Sequence, residues 1–370
     1  MFRRFLPVGQ GAFYCEEFFC GVNIVYDCGS ENKSNVIAAI DNRICLLPPP
    51  KHIEAVFISH LHYDHISGLE HLLETSNVRK IYFPQMTESE KIISLLDLLV
   101  NERDTGSDFI QNLHIDFNGT IKDISQETES VPIPKSEGEP GSVIELKGFT
   151  QNIIEAAEDW VFVPFNIKSD ASVDVLSIIN NALKEKNEAK ITTPEDLCKC
   201  YKNPEVKKII TDVYKNHIEK KHYNEFSMTL YSGPNEVCDK YEYHCFKRRK
   251  CCNCECCYCH SHDNLFKVGS IYTGDYDAYR YGKNLQAYYK NYWDNIGTMQ
   301  IPHHGSMANI DYSSGITKGI FNLIFSYGDK NKYKHPSSGL LTQILHDREP
   351  HCLSLVDENM RNEAIFKIMP

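Results

Sequence analysis

Ser59-His60-Leu61-His62-Tyr63-Asp64-His65, followed at once by Ile66-Ser67-Gly68-Leu69, decides how this chain is read. Four metal-capable side chains fall within six residues there. The preceding Glu54-Ala55-Val56-Phe57-Ile58 is apolar and partly β-branched, the composition of a short buried strand. Gly68 to Leu73 has the pattern of the first turns of a helix, with Ser67 placed to cap it. The motif is therefore expected on a strand-to-helix turn. His60 and His62, two apart on extended backbone, point the same way and can share one cation. Beyond the bend, Asp64 and His65 can face a second. Imidazole nitrogens and carboxylate oxygens suit zinc, manganese or iron and leave room for a water. The competing reading, a polar loop with solvated histidines, accounts for a lone histidine better than for this spacing.

The 370 residues can bury a large core, in one elaborated domain or two. Hydrophobic residues at 42% and charged residues at 24% describe an ordinary globular protein. A net charge of −11 argues against coating nucleic acid through bulk charge. It leaves room for a local basic groove, or for metals that bring positive charge to an acidic site. No apolar run approaches the roughly 20 residues that span a membrane. Met1 to Pro7 lacks a following apolar core of signal-peptide length. Cytoplasmic residence without membrane contact is the expectation. Fifteen cysteines then read as free thiols plus a thiolate metal site, rather than a disulfide framework.

Working outward, Val8-Gly9-Gln10-Gly11 is a glycine turn entering a strand, and Val22 to Gly29 is a strand carrying Asp27 near its end. Asp27 could orient a ligand histidine from behind, or simply form a turn with Cys28 and Gly29. A helix over 33–42, a strand over 78–84 and a helix over 89–103 follow from apolar spacing. Beyond these the pattern gives strands at 113–117, 143–146 and 160–165, with a Pro/Glu/Ser/Gly-rich loop at 127–142. Helices at 173–186, 193–201 and 204–220 read as an insertion, about 168–222, that covers or gates a site. Strands resume at 226–231 and 268–273. Thr273-Gly274-Asp275, His303-His304-Gly305-Ser306 and Asn331 to Pro336 come after strand patterns, and a helix at 339–346 and a strand at 352–356 close the chain.

Between the strands at 226–231 and 268–273, eight cysteines crowd the 22 residues from Cys238 to Cys259. Cys251, Cys252, Cys254, Cys256, Cys257 and Cys259, with His260 and His262, have the short steps of a zinc knuckle folded by its metal. The alternative is a low-complexity tip that binds metal adventitiously. Such an insertion, about 238–262, could dock a protein partner. Lys247-Arg248-Arg249-Lys250 beside it is a solvated cationic run, or a contact for a phosphate-bearing ligand.

Taken in order, a strand-end aspartate, HxHxDH, Thr-Gly-Asp, His-His-Gly-Ser and Asn…His-Pro resemble the metallo-β-lactamase superfamily. Val8 to Gly11, Asn224…Ser227, Thr273 to Asp275, His303 to Ser306 and His335-Pro336 resemble the branch with the hydrolase domain of ComEC-type competence proteins. The resemblance implies one domain over 1–370, a four-layer αββα sandwich with the helical and cysteine-rich insertions. It also implies two active-site metals, zinc first and manganese as an alternative. Residue by residue, His60 and His62 match ligands of one metal, and Asp64 and His65 ligands of the second. Asp275 matches the carboxylate bridging cations about 3.5–4 Å apart. His304 is taken as the last ligand, with His303 facing substrate, and His335 as a rim histidine that contacts phosphate or protonates a leaving group. His222 lies near, but out of register with, a further histidine of many members, and Asn224 stands in the region that ComEC-like relatives share.

Two adjacent cations make a hydrolase. Catalytic roles are expected for Asp64, Asp275 and His335. Ser306, Asn331 and Lys334 are potential donors to substrate. The expectation is a phosphodiesterase or nuclease acting on nucleic acid or a nucleotide. A hydrolase of a small ester, lactone or thioester is the alternative enzyme, and a non-catalytic binding scaffold the alternative outside enzymes.

Overall fold

Side chains that alternate between two apolar faces build this molecule around two sheets. The structure is a computed structural model that describes residues 1–44, 47, 51–101, 108–136, 141–149, 158–168, 171–218, 227–236, 241–246, 267–347, 352–359 and 362–369. Strands β1 (Phe2–Phe5), β2 (Gly11–Glu17) and β3 (Asn23–Ser30) precede helix α1 (Lys33–Ile44) and β4 (His52–Phe57). The turn after β4 holds α2 (Tyr63–Ile66) and leads to α3 (Leu69–Thr75), β5 (Asn77–Pro84) and α4 (Glu88–Val100). Helices α5 (Phe109–Ile115) and α6 (Phe117–Ile124) precede β6 (Glu129–Ile133), β7 (Lys135–Ser136), β8 (Ile144–Glu145) and β9 (Trp160–Ile167). Next come α7 (Ala171–Glu185), α8 (Pro194–Cys200), α9 (Pro204–Val213), β10 (Thr229–Pro234), β11 (Glu242–Phe246) and β12 (Gly269–Tyr272). The chain continues through α10 (Ala278–Tyr288), β13 (Ile296–Gln300), β14 (Asn322–Ser326), α11 (Ser338–His346), β15 (Cys352–Val356) and β16 (Ala364–Met369).

One sheet has the order β11-β16-β1-β2-β3-β4-β5-β6, the other β15-β14-β13-β12-β10-β9-β7 with β8 beside β9. Both are mixed: β3 through β6 run parallel, as do β12 through β15, while β1–β2 and β9–β10 are antiparallel. In β9, Trp160 and Phe162 enter the core between the sheets, whereas Val161, Val163, Phe165 and Ile167 face α10 and α11. Period-two alternation places each set on one face. A third cluster joins Val25, Val56 and Ile81 of the first sheet to α1 and α3 through α9. Helices, sheet, sheet and helices thus stack as the expected αββα sandwich. Among the described residues, no helix is long and apolar enough to cross a membrane.

Several local expectations are corrected. Residues 113–117 are not a strand: Phe109, Ile110, Leu113 and Phe117 make a helical stripe, and Asp116 caps α6 by accepting from Gly119 N. The polar stretch at 127–142 contains β6, whose Pro132 is tolerated because β6 is an edge strand. Ser67 does not cap α3; its hydroxyl accepts from Ser30 N and donates to Ser30 O, tying the motif turn to β3. The chain does not close at β15, because β16 pairs with both β1 and β11. His222, Asn224, Lys247 to Lys250 and the cysteine-histidine cluster at 251–262 lie outside the described residues.

Candidate metal centre

Parallel strands of both sheets deliver their carboxyl ends to one edge, the usual place for a ligand crevice in such sheets. β4 delivers Ser59 and His60, β12 delivers Asp275, and β13 delivers His303 and His304. Asp27 arrives differently. Phe13 pairs with Cys28 but Tyr14 with Tyr26, so Asp27 is the extra residue of a β-bulge, at φ 53. A bulge re-aims its side chain, and here Asp27 accepts from Ser59 N and Ser59 Oγ, both at 2.7 Å, and from His65 Nδ1 at 2.8 Å. The nearby Gly29 is needed for close approach, since a Cβ there would sit 2.4 Å from the His65 backbone.

His60, His65, Asp64, Asp275 and His304 are all buried. The His65 Nε2 lies 3.2 Å from Asp275 Oδ1, and the His60 Nε2 lies 3.7 Å from Asp275 Oδ2. The two oxygens of one carboxylate therefore face two different histidines. His304 directs Nδ1 to the Ser326 carbonyl at 2.7 Å and Nε2 to Asp64 Oδ2 at 3.3 Å. His60, His62 and Asp275 form one set of donors, and Asp64, His65 and His304 another, each with its ligand atoms within 4.8 Å of one another.

Those donors fit cations on a direct observation. His60 Nε2, His65 Nε2 and Asp275 Oδ1 are buried without a hydrogen-bond partner, although such groups are rarely left so. In the neutral ring, with Nδ1 of His65 donating to Asp27, Nε2 presents a lone pair towards an Asp275 oxygen. Two such acceptors at 3.2 Å call for a positive charge near both, either a proton on Nε2 or a cation in its place. Burial opposes charge on His65, yet the Asp275, Asp27 and Asp64 carboxylates hold its pKa well above the usual range. Burial likewise opposes ionisation of Asp275, yet His303, His65 and His304 hold its carboxyl well below the usual range. In His60 burial prevails, helped by His65 and His62, and pushes the imidazole well down. His304 is raised against burial by its bond to Asp64 and by Asp275, whereas burial lowers His303. Asp27 is raised by burial, with His65 and Ser59 opposing.

The expected substrate-side residues divide. His303 is partly exposed, held by Asn309 Oδ1 at 2.8 Å, with its Nε2 3.8 Å from Asp275 Oδ2. His303 and His304 both have left-handed backbone, φ 48 and 55, the kind of local strain that clusters at functional sites. The His335 ring sits 5.6 Å from that of His303. Asn331 has its amide engaged with backbone, donating to Gly328 O and His335 O and accepting from His335 N, so it shapes the loop around His335. Ser306 Oγ accepts from Ala308 N, and Lys334 is exposed.

Sequence reasoning gave no role to Ser59, Gln300 or Asn309. Ser59 bridges Asp27 to His60 Nδ1 at 2.9 Å. Gln300 Oε1 accepts from Thr273 N and Gly274 N, clamping the turn that presents Asp275. Ser227 Oγ, noted only as a motif residue, accepts from Asp275 N at 3.0 Å. Adjacency to the histidine motif could have flagged Ser59; nothing local flags Gln300 or Asn309.

Residues 20–85 match the family model of the Metallo-beta-lactamase superfamily. Among solved structures, a long form RNase Z from yeast is similar, with 10% sequence identity and a TM-score of 0.37. That similarity covers 88% of this chain and 37% of the RNase Z chain, so this chain spans well under two thirds of its length. No curated protein matches.

Proposed function

We propose that this protein is a metal-dependent phosphodiesterase acting on nucleic acid or a nucleotide. The family match and the paired donor sets support a metal-dependent hydrolase; the substrate class is the further step. The observation that carries the reading is Asp275, whose two oxygens face separate histidine sets as a bridging carboxylate must. In this reading His60, His62 and Asp275 would hold one cation, and Asp64, His65 and His304, with Asp275, would hold the other. Zinc suits the donors first, and manganese is the alternative. Two bound divalent cations would supply Lewis acidity at phosphorus and a water acidic enough to attack at neutral pH.

The chain's own groups do the rest. Asp27 keeps a proton on His65 Nδ1 and so fixes the lone pair of Nε2; the Ser326 carbonyl does the same for His304. His335, beside His303 at the rim, delivers a proton from its imidazole to the leaving oxygen. Exposed Lys334 and the hydroxyl of Ser306 supply further donors for a phosphodiester. The ComEC-type likeness rests on the same ordered motifs. We read residues 168–222 and 238–262 as insertions into one domain. The apolar residues of α7 to α9 share a core with β3 to β5, which supports a single unit. For Cys251, Cys252, Cys254, Cys256, Cys257, Cys259, His260 and His262 the proposal is structural zinc.

Metal analysis followed by assays on bis-p-nitrophenyl phosphate, single-stranded DNA, RNA and a lactone tests this reading. Metal-dependent turnover of the phosphodiesters is expected. Turnover confined to the lactone would overturn the substrate class.

A further inference from the structure

Beyond β14 the chain forms Gly328-Asp329-Lys330-Asn331-Lys332-Tyr333-Lys334-His335. Its base is pinned to other elements. Gly328 N donates to Gln10 Oε1 at 3.2 Å, and Asp329 N donates to Glu358 Oε2 at 2.9 Å. Asn331 then closes the loop on itself through both its oxygen and its nitrogen. A pinned loop presents its remaining side chains in fixed relation to the cluster.

Those side chains combine positive charge with aromatic surface. Lys330, Lys332 and Lys334 alternate along it in a chain of net charge −11, with Asp329 the one acidic residue of the stretch. Tyr333 is 43% exposed. Its ring is nearly parallel to that of His335, 16° between planes with centroids 5.9 Å apart. The Lys332 Nζ lies 5.0 Å from the Tyr333 centroid. The His335 ring is 5.6 Å from His303, whose Nε2 is 3.8 Å from Asp275. An aromatic ring with the Lys332 ammonium over it therefore stands two ring contacts from His303, which in turn neighbours Asp275.

We propose that this loop grips the nucleoside next to the scissile phosphate: Tyr333 stacks on the base, and Lys332 and Lys334 neutralise the adjoining phosphate. The inference rests on the phosphodiesterase reading and deepens it to single-stranded nucleic acid. Stacking on an aromatic face is available to every base, so binding is tolerant of sequence. A small lactone or ester has neither a base nor a second phosphate for the loop to hold.

Kinetics of the metal-loaded full chain on decathymidylate and on an abasic strand of equal length test the stack. In Tyr333→Ala the preference for the base-bearing strand falls by about ten- to hundred-fold, while Tyr333→Phe keeps it. Anisotropy of a labelled phosphorothioate decathymidylate that resists cleavage, with the metal-loaded full chain, shows the same loss in affinity. Lys332→Gln with Lys334→Gln flattens the salt dependence of binding, by roughly 0.7 in slope for each phosphate no longer neutralised. If the wild type hydrolyses bis-p-nitrophenyl phosphate but Tyr333→Ala keeps its preference, the loop proposal alone is overturned. Equal losses in Tyr333→Phe and Tyr333→Ala overturn the stack in favour of the hydroxyl. A metal-loaded wild type that hydrolyses no phosphodiester overturns the reading beneath it as well.

Discussion

Two kinds of buried histidine stand side by side in this molecule. His114, on α5, is fully buried with both ring nitrogens engaged, Nδ1 at 2.8 Å from Ile110 O and Nε2 at 2.9 Å from Ser94 Oγ. His60 and His65 are as deeply buried, yet each has one nitrogen held by the protein and a second, Nε2, without a hydrogen-bond partner. A folded chain tolerates the first arrangement because no polar group is stranded. The second costs stability until a proton or a cation reaches the nitrogen, since a buried unpaired acceptor carries its full desolvation penalty. Burial and residue type are the same in both; the fate of the second nitrogen separates a packing histidine from a candidate ligand.

The most severe way to break that contrast is Asp275→Ala. Its carboxylate is the shared neighbour of both unpartnered nitrogens, and the members of such a unit fail together. Phosphodiester hydrolysis should fall by about 10⁴-fold or more, with both metals weakened in a metal titration. Turnover at the wild-type rate in a metal-loaded mutant would sink the bridging role.

The candidate ligands are legible where they are contiguous. HxHxDH lies in one run, and its strand-to-helix turn follows from apolar spacing on either side. Asp275 and His304 were reached through resemblance, because a strand-end aspartate or histidine has no local mark. The supports were opaque. Gln300 meets Thr273 and Gly274 only because β12 and β13 pair, and Asp27 turns inward only through a bulge. His114 shows the opposite failure: reading its segment as a strand erased the i to i−4 contact with Ile110 that defines its role. Long-range register decides these contacts, and no window of sequence contains it.

His335 sharpens the contrast from outside the cluster. If it transfers a proton and holds no metal, His335→Ala should lower turnover by about 10²–10⁴-fold. Both metals should remain bound. Loss of a metal in that variant would move the ring into the ligand set.

His114 offers a readout in stability instead of rate. Burial lowers its pKa to about 4, with Ile110 O opposing, His62 and Lys91 lowering it further and Asp97 raising it. The unfolded chain takes up its proton near pH 6.5, so the native state is favoured above that value. The advantage is lost as pH falls from about 6.5 towards 4, by roughly 3 kcal/mol in all. Denaturant midpoints of wild type and His114→Gln should therefore converge as the pH drops through this window. A gap independent of pH would mean that His114 does not titrate with folding. The variant should keep its metals, since His114 is a packing histidine.

Asp27→Ala should have the smallest effect, and it tests the logic most directly. Asp27 touches no proposed cation; it fixes which nitrogen of His65 carries the proton and which way the ring faces. Partners of this kind typically contribute about 10- to 100-fold in metal affinity. The loss should fall on the set containing Asp64, His65 and His304. The set containing His60, His62 and Asp275 keeps its own contact through Ser59, whose hydroxyl also reaches His60. A titration with cobalt, resolved by its two spectroscopic environments, should show one weakened and one nearly intact site. Equal weakening of both would mean that Asp27 acts through Ser59 on the whole cluster, so that the two histidines share one support. Unchanged affinity would show that burial alone sets the His65 ring, and the distinction between packing and ligand histidines would then rest on Asp275 rather than on the tautomer.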